Sequence, residues 1–510
     1  MTAAQALDSL LQYYPLVHEQ PLYDGATTWI NPPQPPDVPK PSDDEDLLRD
    51  YVRAWWAHEA LHDPGAAHRL AFFLHQFLAV AANSGSSMAF FDYLALMRWG
   101  ALGNYKALAR KIVLDNCMLR YIDNYKNFAS NPNLNFAREF FELHTIGKGQ
   151  PAGPGDYTNY TEEDIVQAAR VLTGFNLALR HVNVDPDTNI PAGKGYPQTH
   201  DFGVKQFSQR FNNAAISPPS QDEAGMNAEL NAFVDMIFAQ EETARNFCRR
   251  LYRLFVSRKI TAEIEADIIG PLAQTFRDND FEMAPVFRQL FESEHFFDAD
   301  DSDNADEIVG GFIRSPLELA LQSYAFFQIP IPDPISQTAD YLRFYLHGLF
   351  GRVLGFGGMD LFYPPDVAGY PGYFQEPGYQ RQFFNSATIV ARYKLPQMLL
   401  TGTLAWGPNS DAGIGTKLDI AAWVRDSGVF SDPEDGYVLV QELLQYVFPE
   451  DPDGDRLNYF LVQIFLDGLP LADWSYEWVN YLNSGDDSEV RIPLSRLLNA
   501  VMYSPEYQLG

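Results

Sequence analysis

The chain is 510 residues long, 46% hydrophobic and 14% aromatic, enough to bury a large core, and 36 Lys and Arg against 67 Asp and Glu give a net charge of -31. That charge repels phosphate backbones and anionic lipid headgroups, which argues against nucleic acid and membrane surfaces as partners. Cys117 and Cys248 lie in apolar helical patterns and read as buried thiols, and no apolar run of about 18 residues offers a membrane-inserted segment.

Taken in chain order, residues 2–14 form a short amphipathic helix with Ala6, Leu7, Leu10 and Leu11 in register, closed by Pro15. Residues 31–41, NPPQPPDVPKP, hold six prolines in eleven positions and read as extended polyproline II. This is the clearest boundary, dividing an N-terminal helix and linker (1–41) from one large helical domain (42–510). Ser42 and Glu45 form a capping box, with Leu47, Leu48, Val52 and Trp56 following at helical spacing. In that helix HEALH gives His58, Glu59 and His62 the spacing of a zinc protease motif, but no third ligand is evident and Asp63-Pro64 ends the helix at once. The run AHRLAFFLHQFLAV (67–80) is apolar around nearly its whole circumference and marks a central helix. His75 within it is either a core histidine or a metal ligand. A further helix is predicted over 105–125, with Asp123 and Asn124 as turn chemistry near its end.

The most informative stretch is 131–176. In its first helix Asn135 is the expected N-cap, Phe136, Phe140 and Leu143 form a buried stripe, and Gly147 supplies the stop. Successive helical residues advance by roughly 100°, which brings Arg138, Glu139 and Glu142 within about a quarter turn of one another. His144 projects elsewhere, so Glu139, Glu142 and His144 cannot serve one metal from an undistorted helix. The second helix opens at Thr161, with Asp164 completing an approximate capping box, carries Arg170 as its basic residue and ends at Gly174. Irregular sequence then runs to about residue 220 and includes His200, Asp201 and Lys205 in HDFGVK. Long irregular connections often carry function, and these three read as the second half of a site facing Arg138, Glu139 and Glu142. The alternative is an Asx turn with solvated charges.

Helical patterns resume over 228–238 and 244–257. The acidic stretch DADDSDNADE (298–307) lacks the glycine and final glutamate of a calcium loop, and it joins two candidate lobes, 42–297 and 308–510. LFYPPDVAGYPGYFQEPGYQRQFF (361–384) can face a sugar ring or plug a core with its own rings, and the plug is preferred. DPDGDR (451–456) starts with calcium-loop spacing but has Val462 where the closing acid belongs. Further helices fall near 384–401, 416–424, 436–447, 457–468 and 493–503. With no fixed repeat and few alternating strands, the fold class is mostly α: a large multi-helix globular domain with long irregular loops and little or no β.

The phrases NLNFAREFFELHTIG (133–147) and YTEEDIVQAARVLTGF (160–175), with FFLHQF (72–77), HDFGVK (200–205), YPPDVAGYPG (363–372) and SPEYQL (504–509), closely resemble, in order, the landmarks of a bacterial family catalogued as domain of unknown function 1800. The resemblance extends from about Trp55 to the end. It implies a helical fold and an exported protein, periplasmic or extracellular. The N-terminus shows no basic segment followed by an apolar one, so export implies a leader removed before residue 1. The family is often encoded beside domain of unknown function 1501, which resembles exported phosphatases or sulfatases, and this implies a partner. The family's early motif commonly carries two histidines two residues apart. Here Phe77 stands where the partner of His75 would be, which counts against a metal site built on that pair.

A serine hydrolase would show G-x-S-x-G, which is absent, and the His-Asp pairs at His62 and His200 fall in turns, where a helical phosphohydrolase would need them inside helices. A carboxylate site is left. Glu139 and Glu142 would act as acid and base or bind a divalent cation, Arg138 and Arg170 would tune them, and His200, Asp201 and Lys205 would close the pocket. The candidate metal ligands are His75, Glu142, His200 and Asp201. The competing and preferred interpretation is a buried Arg and Glu network that locks two helices together. The expected function is therefore an exported, non-catalytic scaffold or binding partner of a domain of unknown function 1501 protein. The alternative is a hydrolytic enzyme, metal-assisted or working by carboxylate acid/base chemistry, on an extracellular substrate.

Overall fold

Most helices begin where a short polar side chain takes the backbone N–H groups that have no partner inside the helix. Thr2 and Gln5 form a reciprocal box at α1 (Ala3–Leu10), and Asp44 accepts from Asp46 and Leu47 at α2 (Glu45–His62). The cap of α2 is thus Asp44 and not Ser42, because the Glu45 carboxylate is drawn to the Ser87 amide at 2.8 Å. The computed structural model describes residues 2–30, 39–299, 310–404, 412–414 and 416–510; most of the proline-rich boundary at 31–41 and of the acidic stretch at 298–307 lies outside the described residues.

The chain divides into two units, the first made of Met1–Tyr23, Thr27–Asp300 and Phe362–Phe374, the second of Asp24–Ala26, Asp301–Leu361 and Gln375–Gly510. In the first unit, α3 (Ala67–His75) buries every residue except Arg69. It stops at His75, short of the predicted 80, because the Gln76 and Phe77 amides turn back to Phe73 and Leu74 in a tightened last turn. Ser86 caps α4 (Ser87–Gly100). The single helix predicted over 105–125 is two, α5 (Tyr105–Ile112) and α6 (Asn116–Tyr121), since Asp115 between them caps the second through the Met118 amide at 2.7 Å. Then come α7 (Leu134–Glu139), α8 (Glu162–Val171), α9 (Glu223–Phe238) and α10 (Glu241–Phe255).

Strands among the described residues occur only as two-stranded ribbons. Three of them, β1 (Pro151–Gly153) with β2 (Asp156–Tyr157), β3 (Phe175–Asn176) with β4 (Lys194–Gly195), and β5 (Lys205–Gln206) with β6 (Ala215–Ile216), punctuate the irregular stretches around α8. The long connection after α8 is tied down by charge. Arg180 grips Asp92 of α4 with two 2.8 Å bonds, and Lys111 of α5 reaches Asp185 at 2.7 Å.

Rings fill the core. Tyr105, Phe247 and Phe276 meet with centroids 4.8 and 4.6 Å apart, and Phe141, Tyr160, Phe211 and Phe233 form a second group beneath α7 and α8. The Phe362–Phe374 segment supplies the expected plug: the Phe362 ring lies edge-on to Trp56 at 4.9 Å and to His75 at 5.0 Å. Gly369 carries φ +95°, and a Cβ there would lie 2.4 Å from the Gln76 carbonyl.

The second unit is also helical. A Ser315/Glu318 box opens Pro316–Phe326, and the C-terminal helix spans Ser488–Tyr503, starting before Pro493. Asp453 of DPDGDR caps a short helix, Gly454–Asn458. Gln508 of SPEYQL accepts from the buried Arg392 guanidinium at 3.1 Å, which also donates to the Arg314 and Phe383 carbonyls. No helix among the described residues is long and apolar enough to cross a membrane.

Candidate functional site

Asn133, not Asn135, caps α7: its side-chain oxygen accepts from the Asn135 backbone N–H at 3.0 Å, and the Asn135 side chain donates to the Ile122 carbonyl at 3.3 Å. The α-helix gives way to a π-turn over Phe140–His144, a wider turn that is enriched at functional sites. Its loose carbonyls are all claimed. Arg250 of α10 donates to Leu143 and Glu142, Tyr105 donates to His144, and Thr145 donates to Phe140 at 2.6 Å. Burial lowers the Arg250 guanidinium to about 10 and the His144 imidazole, packed between Phe136 and Phe140, to about 3. Gly147, at φ +75°, reverses the chain as expected.

The capping box at Thr161 and Asp164 is complete, and Asp164 also accepts from the Ser208 amide and hydroxyl at 2.7 Å each. Helices α7 and α8 run antiparallel. Arg138, late in α7, makes a two-pronged pair with Glu162 at the start of α8, 2.7 and 2.8 Å, while Asn127, before α7, donates to Ala169 near the end of α8. Glu142 accepts from the Tyr160 phenol at 3.4 Å and lies 3.7 Å from Lys148. Glu139 has neither a hydrogen bond nor an ion pair among the described residues. Loss of solvent, then the neighbouring carboxylates of Glu142 and Asp366, push it up to about 7, against the pull of Arg138 and Lys148. Asp366 comes from YPPDVAGYPG, and Tyr121 donates to its carbonyl at 3.2 Å.

HDFGVK lies at the other end of α8. Gly174 (φ +77°) makes the turn, and a Cβ on it would sit 3.0 Å from the His200 amide nitrogen and the Tyr196 carbonyl oxygen. His200 sets Nδ1 against the Thr173 carbonyl at 2.7 Å and Nε2 against Glu229 at 3.0 Å. Lys205 donates to both Glu229 oxygens, at 2.7 and 2.9 Å, and to the Asp201 carbonyl. The His200, Lys205 and Glu229 side chains have 0% exposure. Burial lowers the Lys205 ammonium, and Glu229 pulls it back. Arg170 holds Asp201 through bonds of 2.7 and 3.3 Å, keeping that carboxyl below its ordinary range against the opposing effect of burial.

The predicted residues therefore form two groups. Arg138, Glu139 and Glu142 sit at the N-terminal end of α8; Arg170, His200, Asp201 and Lys205 sit at its C-terminal end. Eight residues separate Glu162 from Arg170, about 12 Å along the axis at 1.5 Å per residue. Nor do the candidate metal ligands converge. His75 is buried on α3 with Nδ1 2.8 Å from the Tyr93 phenol, its pKa lowered to about 3 by burial, and Asp201 and His200 face Arg170 and Glu229. Among the described residues no group of three or more His, Cys, Asp or Glu is placed to hold a metal ion. In HEALH, Glu59 is spent on the Val17 and His18 amides at 2.6 and 2.9 Å.

Glu229 was missed by the sequence analysis. Its signal was its place: it lies three residues after Met226 and four before Phe233, both fully buried, on the inward face of α9.

The family described as "Protein of unknown function (DUF1800)" matches residues 2–509, and the chain belongs to it. No curated protein and no solved structure matches the chain.

Proposed function

We propose that the protein is a non-catalytic binding or scaffold protein whose polar landmarks hold its helices in place. The observation that carries this is the closure of His200, Lys205 and Glu229 on one another with 0% exposure, since a reacting group has to reach its substrate. Arg138, Arg170 and Asp201 are spent in pairs as well. Two open clefts of about 410 and 370 Å³ are lined by other residues, around Lys111 and Asp185 in one and Arg245 and Glu241 in the other. Export, and a partner of the domain of unknown function 1501 kind, belong to the same proposal and rest on the family resemblance. The test is co-expression of the two full-length proteins with a tag on this one. Stoichiometric co-elution supports the proposal; its absence, with hydrolysis of an ester, phosphoester or glycoside substrate that disappears in Glu139→Gln, overturns it.

The second reading, carboxylate acid/base hydrolysis, is favoured by one observation. Glu139 alone of the predicted residues has no side-chain partner among the described residues, is only partly exposed, and has its carboxyl pushed up to about 7 by loss of solvent and the neighbouring carboxylates. In that reading Glu139 delivers the proton, and Glu142, 3.4 Å from the Tyr160 phenol and 3.7 Å from Lys148, is the second carboxylate beside it.

A further inference from the structure

The helix Leu471–Ser484 in the second unit buries a narrow stripe, Trp474, Trp478 and Tyr481, and leaves its other face open. Part of that open face is apolar, with Tyr476 65% exposed, Leu482 49%, Leu471 38% and Val479 37%, beside the exposed polar residues Asp473, Asn480 and Asn483. At about 100° per residue, Leu471, Val479 and Leu482 fall within roughly 80° of one another, with Tyr476 beside them, and they share that arc with Ser475, whose hydroxyl donates to the Glu434 carbonyl. Leu469, just before the helix, and Ile492, in the first turns of Ser488–Tyr503, are exposed by 59% and 61%. Single exposed apolar residues are ordinary, but a helix with a second ordered apolar face is not.

The charges around the stripe are mainly acidic, since the neighbouring Arg425, bonded to Tyr481, and Arg491 are each paired with an aspartate, Asp426 and Asp487. Asp473 and Glu477 flank it on the same helix, and Asp486 and Glu489 follow in the connection and the next helix. From residue 416 to 510 the chain carries 17 Asp and Glu against 5 Lys and Arg, a net of -12. Two occupants are thereby disfavoured. A second copy would bring the same acidic rim against this one, and an anionic membrane would be repelled.

We infer that this face is a docking surface for a basic amphipathic helix on a partner protein. The leucine-type face of that helix would lie on Leu471, Tyr476, Val479 and Leu482, and its lysines or arginines would meet the acidic rim. The inference deepens the binding-protein proposal by naming the kind of segment bound. It rests on that reading for its biological meaning but not for its measurement: hydrolysis by the whole chain would overturn the proposed function and leave the surface standing.

The test uses the full chain and two dye-labelled model helices of identical leucine pattern, one with lysine and one with glutamate at all polar positions. Fluorescence anisotropy at physiological ionic strength reads their binding. The lysine helix is expected to bind at least about tenfold tighter than the glutamate helix, and Tyr476→Ser with Val479→Ser to weaken it by about tenfold or more, as loss of a central contact does. Both substitutions are at exposed positions, and an unchanged thermal unfolding midpoint verifies the fold. Equal binding of both helices overturns the inference. So does undiminished affinity in the double variant, which would mean diffuse attraction to the acidic surface. A parent protein whose mass by light scattering halves in the double variant also overturns it, by showing that a second copy covers the face.

Discussion

Lys205 and Glu229 meet inside the first unit with the ammonium 2.7 and 2.9 Å from the two carboxylate oxygens and no exposed surface on either side chain. Lys205 comes from the HDFGVK loop and Glu229 from the middle of α9, so the pair fixes an irregular connection against a regular helix. His200 adds a second contact to the same carboxylate. Charges taken fully out of water are tolerated only when each is matched, and here the Lys205 ammonium and the Glu229 carboxylate match one another while the His200 ring adds a hydrogen-bonding contact.

Gly174 permits that arrangement. Its φ of +77° strains any L side chain, and a Cβ would press on the His200 amide nitrogen and the Tyr196 carbonyl at 3.0 Å. Gly174→Ala is expected to cost about 2 kcal/mol or more, from left-handed strain plus the clash, read as a lowered midpoint in urea unfolding. An unchanged midpoint would show that the loop shifts freely.

Arg138 is the counter-case. Its pair with Glu162 has good geometry, but the side chains are 33% and 38% exposed, so solvent screens it. Arg138→Ala is expected to change stability by no more than about 1 kcal/mol, despite the prominence of Arg138 in the central motif. A larger loss would assign it a role beyond the visible pair.

Asp115 gives a pH signature. Burial first, and then the Asp92 carboxylate, push it up to about 7, although it caps α6. Between its ordinary value near 4 and 7 the folded chain keeps a proton that the unfolded chain has lost, so this group's contribution falls as pH rises through that window and is least favourable above it. Asparagine can cap equally well without the charge. Asp115→Asn is expected to be more stable than the parent at pH 8 by about 2–4 kcal/mol, with the difference closing near pH 4. Thermal unfolding across that range reads it, and a constant difference would contradict the burial argument.

The local chemistry of the fold was legible where one residue type has one use. The Thr161 and Asp164 box and the stop at Gly147 stand where periodicity and capping put them, and the apolar run at 67–80 starts its helix at Ala67 as expected but ends it at His75. Boundaries failed where a second side chain competed: Asp115 splits one predicted helix into two, and Glu45 leaves its box for Ser87. The proposed site was legible in its residue types but not in its partners. Arg170 with Asp201 joins residues 31 apart in sequence, and Lys205 with Glu229 joins residues 24 apart, and no periodicity carries information across such gaps. Adjacency in the sequence motif suggested one site, whereas the length of α8 makes two.

The central claim, that HDFGVK is a fold lock, is tested most directly by a double-mutant cycle on Lys205→Met and Glu229→Leu, with stability read by urea unfolding. Each single substitution leaves a buried charge unmatched and is expected to cost about 3–5 kcal/mol, while the double substitution regains much of that loss because no unpaired charge is left on either side chain. Single variants as stable as the parent, or a double variant whose loss is simply the sum of the two, would contradict the account.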